Sequence, residues 1–385
     1  MTGTRTPSGL ERDERWARVA WSFLVEPRSG PLVRHLAAQG AVASLAHLRE
    51  GRYDSTPELA VRLGMLDLDG LAYAVRYRGV RVLVPGDPEW PEALDRHESP
   101  PYCLYVLGET DLAALAERAV AVVGSRAASD YGLRVAAELG EGLADRGWAV
   151  VSGGAFGIDA AAHRGALAAD GPTVAVLACG VDVAYPRAHE ALLREVGRRG
   201  SLVSEVPVGS APYRHRFLAR NRLIALLARA TVVVEAGVRS GALSTAREAR
   251  DHHLPVGAVP GPVTSATSAG CHRLVRDTGA VLVTDAAEVV ELAAPIGEGL
   301  VAVGGGMPPD VAEAELDPVT YRVWSAVPVQ RPSTTERLAV AAGVDGGELA
   351  VALARLESAG LVLREAGRWR KPRRPRRPRE RRDTG

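Results

Sequence analysis

The sequence predicts an α/β protein: a mostly parallel sheet covered by helices on both faces, with a helical domain before it and a winged helix after it. Three observations carry this reading. Between Ala116 and Ala294, short apolar runs alternate with amphipathic helical stretches, as in a sheet buried on both sides. Glycine-rich turns follow several of those runs, where open α/β sheets bind ligands. On both flanks the alternation stops and helical spacing takes over.

In chain order, residues 1–10 read as a frayed tail and residues 11–78 as a helical domain. Its apolar positions, such as Trp16, Val19, Ala20 and Phe23, or Leu45 and Leu48, fall at helix spacing. A connector then opens the core (79–294), with strand candidates at 80–84 and 102–107 around the turn-rich stretch Pro85 to Pro91. The core strands are expected at 119–124, 148–152, 173–178, 201–205, 231–235, 255–259 and 280–284. Residues 295–315, with Gly304-Gly305-Gly306, read as a flexible linker. Residues 316–370 give helices at Asp317–Ala326, Thr335–Ala342 and Gly347–Ala359, with a capping-box pattern at Ser333-Thr334-Thr335-Glu336. Leu361-Val362-Leu363 and Gly367 then suggest a small hairpin, which completes a winged helix. The tail, 371–385, repeats Pro-Arg-Arg and reads as basic and disordered.

Composition narrows the function classes. A net charge of +1 hides a strongly basic end from Arg368 to Arg382, and Lys371 is the only lysine. Cys103, Cys179 and Cys271 are far apart, with no Cys-x-x-Cys, so no disulfide framework, zinc site or cofactor is expected. The chain lacks a signal-peptide pattern and any apolar run near the roughly 18 residues that cross a bilayer, so a cytoplasmic location away from membranes is expected.

Catalytic patterns are sparse. Asp159 and His163 share a helix face, which suits a base pair or half a metal site, or equally a cap and a structural hydrogen bond. Ser152 lacks the nucleophile-elbow context, and neither a Walker A lysine nor a clean dinucleotide fingerprint is present. The expectation is a binding protein, not an enzyme.

Binding patterns are richer. Gly124-Ser125-Arg126 follows the first core strand, and Gly153-Gly154-Ala155-Phe156-Gly157 follows the second. Such turns at helix starts can present free N–H groups to phosphates. Ser240-Gly241 opens another helix in the same way. Arg220, Asn221 and Arg222, preceded by Arg214 and Arg216, are expected near a helix N-terminus, where positive charge opposes the helix dipole and a bound phosphate relieves the conflict. Their alternative is pairing with Glu205 or Glu235. Phe156 either packs or stacks on a base. Several backbone cradles, scattered arginines and one aromatic suit single-stranded nucleic acid better than a nucleotide.

Taken in order, these pieces resemble the DNA-processing protein DprA (Smf) family. Beside the turns they include Tyr131-Gly132, Asp159, His163, Gly180 to Tyr185-Pro186, Ser204-Glu205, Phe217, Glu235-Ala236, Thr245-Ala246 and Pro260-Gly261. The resemblance implies an extended Rossmann-type core, a sterile-alpha-motif-like N-terminal domain and a C-terminal winged helix. It implies single-stranded DNA binding, loading of RecA recombinase, displacement of single-strand-binding protein, a homodimer, and a role in natural transformation. It places Gly124, Ser125, Arg126, the turn from Gly153 to Gly157, Arg220, Asn221, Arg222, Ser240 and Gly241 around the DNA. The chain departs from the family pattern at His189, where asparagine is usual, at Leu218, where proline is usual, and at Cys271-His272. Two rival readings are a nucleotide-cleaving phosphoribohydrolase-like enzyme and a double-stranded DNA regulator acting through the winged helix. The first lacks its Pro-Gly-Gly-x-Gly-Thr motif near Glu235 to Gly241. The second has a poor major-groove reader in Glu348 to Glu357.

Overall fold

The computed structural model describes residues 9–28, 39–52, 56–295, 316–328, 332–365 and 367–371. The expected linker beyond Pro295 and the basic tail beyond Lys371 lie outside them. The chain divides into two compact units, Met1–Leu300 and Val301–Gly385.

The first unit begins with helices α1 (Glu14–Leu24), α2 (Ala41–Arg49), α3 (Pro57–Met65) and α4 (Leu68–Tyr77). Asp13 caps α1 by accepting from the Trp16 N–H at 3.2 Å. Trp21 is fully buried, and its indole N–H donates to the Ala41 carbonyl at 3.1 Å, which ties α1 to α2. No break in packing separates these helices from the sheet. Val19, Trp21 and Leu45 share one apolar cluster with Tyr105, Ala175 and Leu177.

Nine strands form a single sheet in the order β1-β2-β6-β5-β4-β3-β7-β8-β9. Seven are the expected core strands: β3 (Ala119–Val123), β4 (Ala149–Ser152), β5 (Thr173–Val176), β6 (Ser201–Ser204), β7 (Ala230–Val233), β8 (Val256–Ala258) and β9 (Val281–Leu282). All seven run parallel; for example Ala121 pairs with Val151 of β4, and Val122 with Val232 of β7. The stretch read as a connector is part of this sheet. It supplies β1 (Arg81–Leu83) and β2 (Leu104–Gly108), and β2 pairs antiparallel with β6, Val106 opposite Val203.

The apolar strands bury both faces by alternation. Ala119, Ala121 and Val123 of β3 join one cluster, with Leu223 and Ile224 of helix α9 (Arg214–Leu226) and Ala246 of α10 (Ala242–Asp251). Val120 and Val122 join the opposite cluster, with Leu139 of α6 (Asp130–Ala144), Ile158 of α7 (Ile158–Ala168) and Val289 of α12 (Ala286–Ala293). Helices α5 (Leu112–Ala116), α8 (Glu190–Arg199) and α11 (Ala269–Thr278) complete the layers. The strand order reverses at β3, flanked by β4 and β7, which opens a crevice at their carboxyl ends.

The second unit holds α13 (Pro318–Ala326), α14 (Thr335–Ala342), α15 (Gly346–Ser358) and the hairpin β10–β11 (Leu363–Glu365, Arg368–Arg370). Val323, Leu338, Leu353, Leu356 and Trp369 make its core. The expected capping box is displaced. Thr334 makes no side-chain cap bond, and the reciprocal pair is Asp345 with Glu348 at the start of α15. With the N-cap at Thr334 the residue three on is Arg337 rather than Glu336, whereas three residues after Asp345 comes Glu348.

Candidate functional site

The crevice at β3, β4 and β7 is a cleft of about 730 Å³. Gly124, Ser125 and Arg126 enter it from β3, Arg220 and Asn221 from α9, and Ser240 and Gly241 from the start of α10. The structure thus brings together seven of the twelve expected residues. Gly153, Gly154, Phe156, Gly157 and Arg222 do not line it.

The first correction concerns the glycine turns, three of whose N–H groups are already taken. The carboxylate of Asp159, in the first turn of α7, accepts from the Gly153 N–H at 3.1 Å and the Ala155 N–H at 3.4 Å through one oxygen, Oδ2. The Ser125 N–H donates to the Glu235 carbonyl at 2.7 Å. An internal carboxylate and the loop after β7 therefore hold donors that were expected to face a phosphate. A Cβ at Gly153 would meet the Arg220 guanidinium at 2.5 Å, so any larger residue there would displace that side chain.

The second correction concerns the arginines. Helix α9 starts at Arg214, so Arg220 to Arg222 lie in mid-helix, away from the N-terminal dipole. Arg222 is 1% exposed; its guanidinium grips Glu205 at 2.7 and 2.6 Å, and its Nε donates to the Ser99 carbonyl at 3.2 Å. It fixes the 97–99 loop and is withdrawn from the cleft. Among the described residues Glu235 takes no arginine: it accepts from the Ser129 N–H at 2.9 Å and the Ser129 hydroxyl at 2.6 Å.

Arg220 differs from Arg222. It is 5% exposed, and its Nη1 donates to the carbonyls of Gly153, at 2.9 Å, and Val176. Its buried Nε has no hydrogen-bond partner among the described residues. Burial lowers its pKa to about 10, against the pull of Asp159. Arg126 is exposed, and its guanidinium lies 5.2 Å from the centre of the Phe217 ring. Tyr185, half exposed, sits 5.4 Å from the same ring. Phe156 packs in part: its ring lies edge-to-face with His189, the centroids 4.5 Å apart, and 47% of the residue stays exposed.

Asp159 and His163 share no hydrogen bond. The Thr173 hydroxyl donates to the Val150 carbonyl, so it accepts from His163 Nδ1 at 2.7 Å, which leaves Nε2 bare. Burial, helped by His189, drives the His163 pKa down to about 3. Burial raises the Asp159 pKa, opposed by Arg220 and the two N–H donors. Both residues act in the scaffold of the turn.

A model of the family described as DNA recombination-mediator protein A matches residues 81–294. The chain belongs to that family. A protein of Mycobacterium tuberculosis named as DNA processing protein DprA is 45% identical over 371 residues, 91% of this chain and 93% of its own. Protein Smf of Escherichia coli is 43% identical over 217 residues, 54% of this chain and 56% of its own. The crystal structure of DprA from Streptococcus pneumoniae superposes with a TM-score of 0.62 at 30% identity, covering 73% of this chain and 98% of that one. The DprA structure from Helicobacter pylori, described for its single-stranded DNA binding mode, gives 0.50 at 29% identity, covering 55% and 94%.

The departures from the family pattern fit their surroundings. His189 Nδ1 pairs with the Gly154 carbonyl at 3.0 Å, a donor role that an asparagine amide can also fill. Leu218 is 54% exposed on the cleft lining. Cys271 is buried against β7, where burial lifts its thiol pKa to about 12.

Sequence patterns missed two clusters. Glu26, just past α1, takes Arg216 at 2.8 Å, His215 at 3.0 Å and Arg62 at 2.8 Å. Burial pushes its pKa up, but these partners outweigh it and hold the group far below the usual carboxylate range. The clasp moors the start of α9 to the N-terminal helices. His97, Glu248 and His252 have ligand atoms within 4.8 Å of one another. Yet His97 Nδ1 accepts the Ser99 N–H at 2.8 Å, which places its proton on Nε2, facing Glu248 at 3.6 Å. Metal-bound histidines donate from the second nitrogen, so this tautomer suits a structural contact. No signal in the linear order joins residues so far apart. Among the described residues, no helix is long and apolar enough to cross a membrane.

Proposed function

We propose that the cleft binds single-stranded DNA and that the protein is a recombination mediator, not an enzyme. The observation that carries this is the cleft lining, where the exposed Arg126 and Arg214 and the buried Arg220 bring three cations to one crevice. Phosphates and base edges are acceptors, and the Phe217 and Tyr185 rings offer stacking surface beside them. The Helicobacter pylori relative, described for its single-stranded DNA binding, supports the same reading.

Family membership further supports loading of RecA onto the bound strand, displacement of single-strand-binding protein, homodimer formation and a role in DNA uptake. The second unit is read as a winged helix, and the protein as cytoplasmic. The test is fluorescence anisotropy with a mixed-sequence single strand and its duplex over a salt series, using wild type, Arg126→Ala and Arg220→Ala. Selective single-strand binding that weakens with salt and with both substitutions is expected. Duplex binding that survives both substitutions would move the site out of this cleft. RecA filament formation on strands coated with single-strand-binding protein tests the mediator role.

A further inference from the structure

This inference rests on the single-stranded DNA reading of the cleft and adds a second place for the strand to sit. Pro212 and Arg214 both line the cleft; Tyr213, between them, does not, and it is 53% exposed. Consecutive Cα atoms are about 3.8 Å apart, so Tyr213 stands on the rim beside Arg214. The segment Tyr213-Arg214-His215-Arg216-Phe217 alternates rings with guanidinium groups. Phe217 belongs to the cleft, whereas the Tyr213 and His215 rings stack on each other outside it, 5° from parallel with centroids 6.0 Å apart. The His215 side chain is 58% exposed.

The pair differs from a chance surface aromatic in its anchoring and in its position. His215 Nε2 lies 3.0 Å from the Glu26 carboxylate. The Arg216 guanidinium, bonded to the same carboxylate at 2.8 Å, sits 4.9 Å from the centre of the Tyr213 ring. The Glu26 clasp thus steadies both rings, and less side-chain freedom is left to lose when a flat ligand stacks on them. Tyr213 is also the N-cap of α9 and makes no side-chain cap bond, where serine, threonine, aspartate or asparagine would stabilise the helix. An exposed ring stands in place of a cap.

We propose that Tyr213 and His215 form a stacking platform for one nucleobase of the strand where it leaves the cleft, with Arg214 taking the neighbouring phosphate. Every base has a π-face, so the platform is indifferent to sequence and lengthens the footprint instead of selecting a base.

The experiment measures affinity against oligothymidine length with the full-length protein, by fluorescence anisotropy. Wild-type affinity should rise with length until cleft and platform are both filled. Tyr213→Ser supplies a cap and removes the ring; it should stay folded and bind the long oligomers about fivefold or more weakly, the low end for one stacked base. Tyr213→Phe keeps the ring and should keep the affinity. Tyr73→Leu, which removes another exposed tyrosine from α4, should change nothing. Wild type is tested directly by stepping a single iodinated uracil along the strand, because on irradiation it couples, with loss of iodine, to an aromatic ring stacked on it. Peptide mapping should find an adduct at Tyr213 or His215. Adducts at cleft residues alone, a Tyr213→Ser that binds every length like wild type, or an equal loss in Tyr213→Phe overturns the platform while the cleft reading stands. Failure of wild type to bind any length overturns both.

Discussion

Arg220 and Arg222 stand two residues apart on one helix and are both buried, yet their surroundings differ. Around Arg222 every charge is answered: Glu205 takes two guanidinium nitrogens and the Ser99 carbonyl takes the third. Around Arg220 the answer is incomplete, with two carbonyls on Nη1 and, among the described residues, nothing on Nε. Burial and charge alone do not tell the two apart; the inventory of satisfied donors does.

The contrast predicts opposite outcomes for similar mutations. Arg222→Ala strands a buried Glu205 carboxylate and should cost about 3–5 kcal/mol of stability, read by chemical denaturation. Replacing Glu205 as well with a leucine should recover much of that loss. Survival of Arg222→Ala at wild-type stability would mean that the pair is not a closed unit.

His163 extends the contrast to a group with one nitrogen bonded and one bare. Its folded pKa, about 3, lies below its ordinary 6.5. The unfolded chain therefore binds the proton more readily, and stability falls as pH drops through that window. The slope from this group is about 1.4 kcal/mol per pH unit. His163→Leu should flatten the acid limb of thermal midpoint against pH, and an unchanged limb would place the titration elsewhere.

Arg220→Ala should weaken single-strand binding about tenfold, equal to roughly 1.4 kcal/mol, with a smaller stability loss than Arg222→Ala. If the two substitutions lower stability equally and leave binding alone, the distinction between them collapses. Arg126→Ala has the mildest expectation: no change in thermal midpoint, and a salt-dependence slope reduced by about one phosphate contact.

The parts of this molecule that were legible are those written in local pattern. Apolar runs such as Ala119–Val123 and Ala230–Val233 bury both faces, so they stand out as parallel strands. The region around Gly124, Arg126, Arg220 and Ser240 was legible because glycines, serines and arginines cluster after those strands. What was hidden depends on pairings across space. Asp159 fills the Gly153 turn from within its own loop, and a list of residues shows the donors but not who reaches them first. Arg222 meets Glu205 from another element, and β2 crosses back antiparallel to β6. Each is a side-chain or strand partnership that periodicity does not encode.

The carboxylate inside the Gly153 turn has a consequence for how a ligand arrives. A loop shaped by its ligand loses conformational freedom on the day it binds, and affinity is reduced by that ordering. Here Asp159 keeps the loop in shape beforehand, so the entropy is surrendered when the chain folds. Of residues 153–157 only Ala155 lines the cleft, and backbone amide exchange across the loop should change little when the cleft fills.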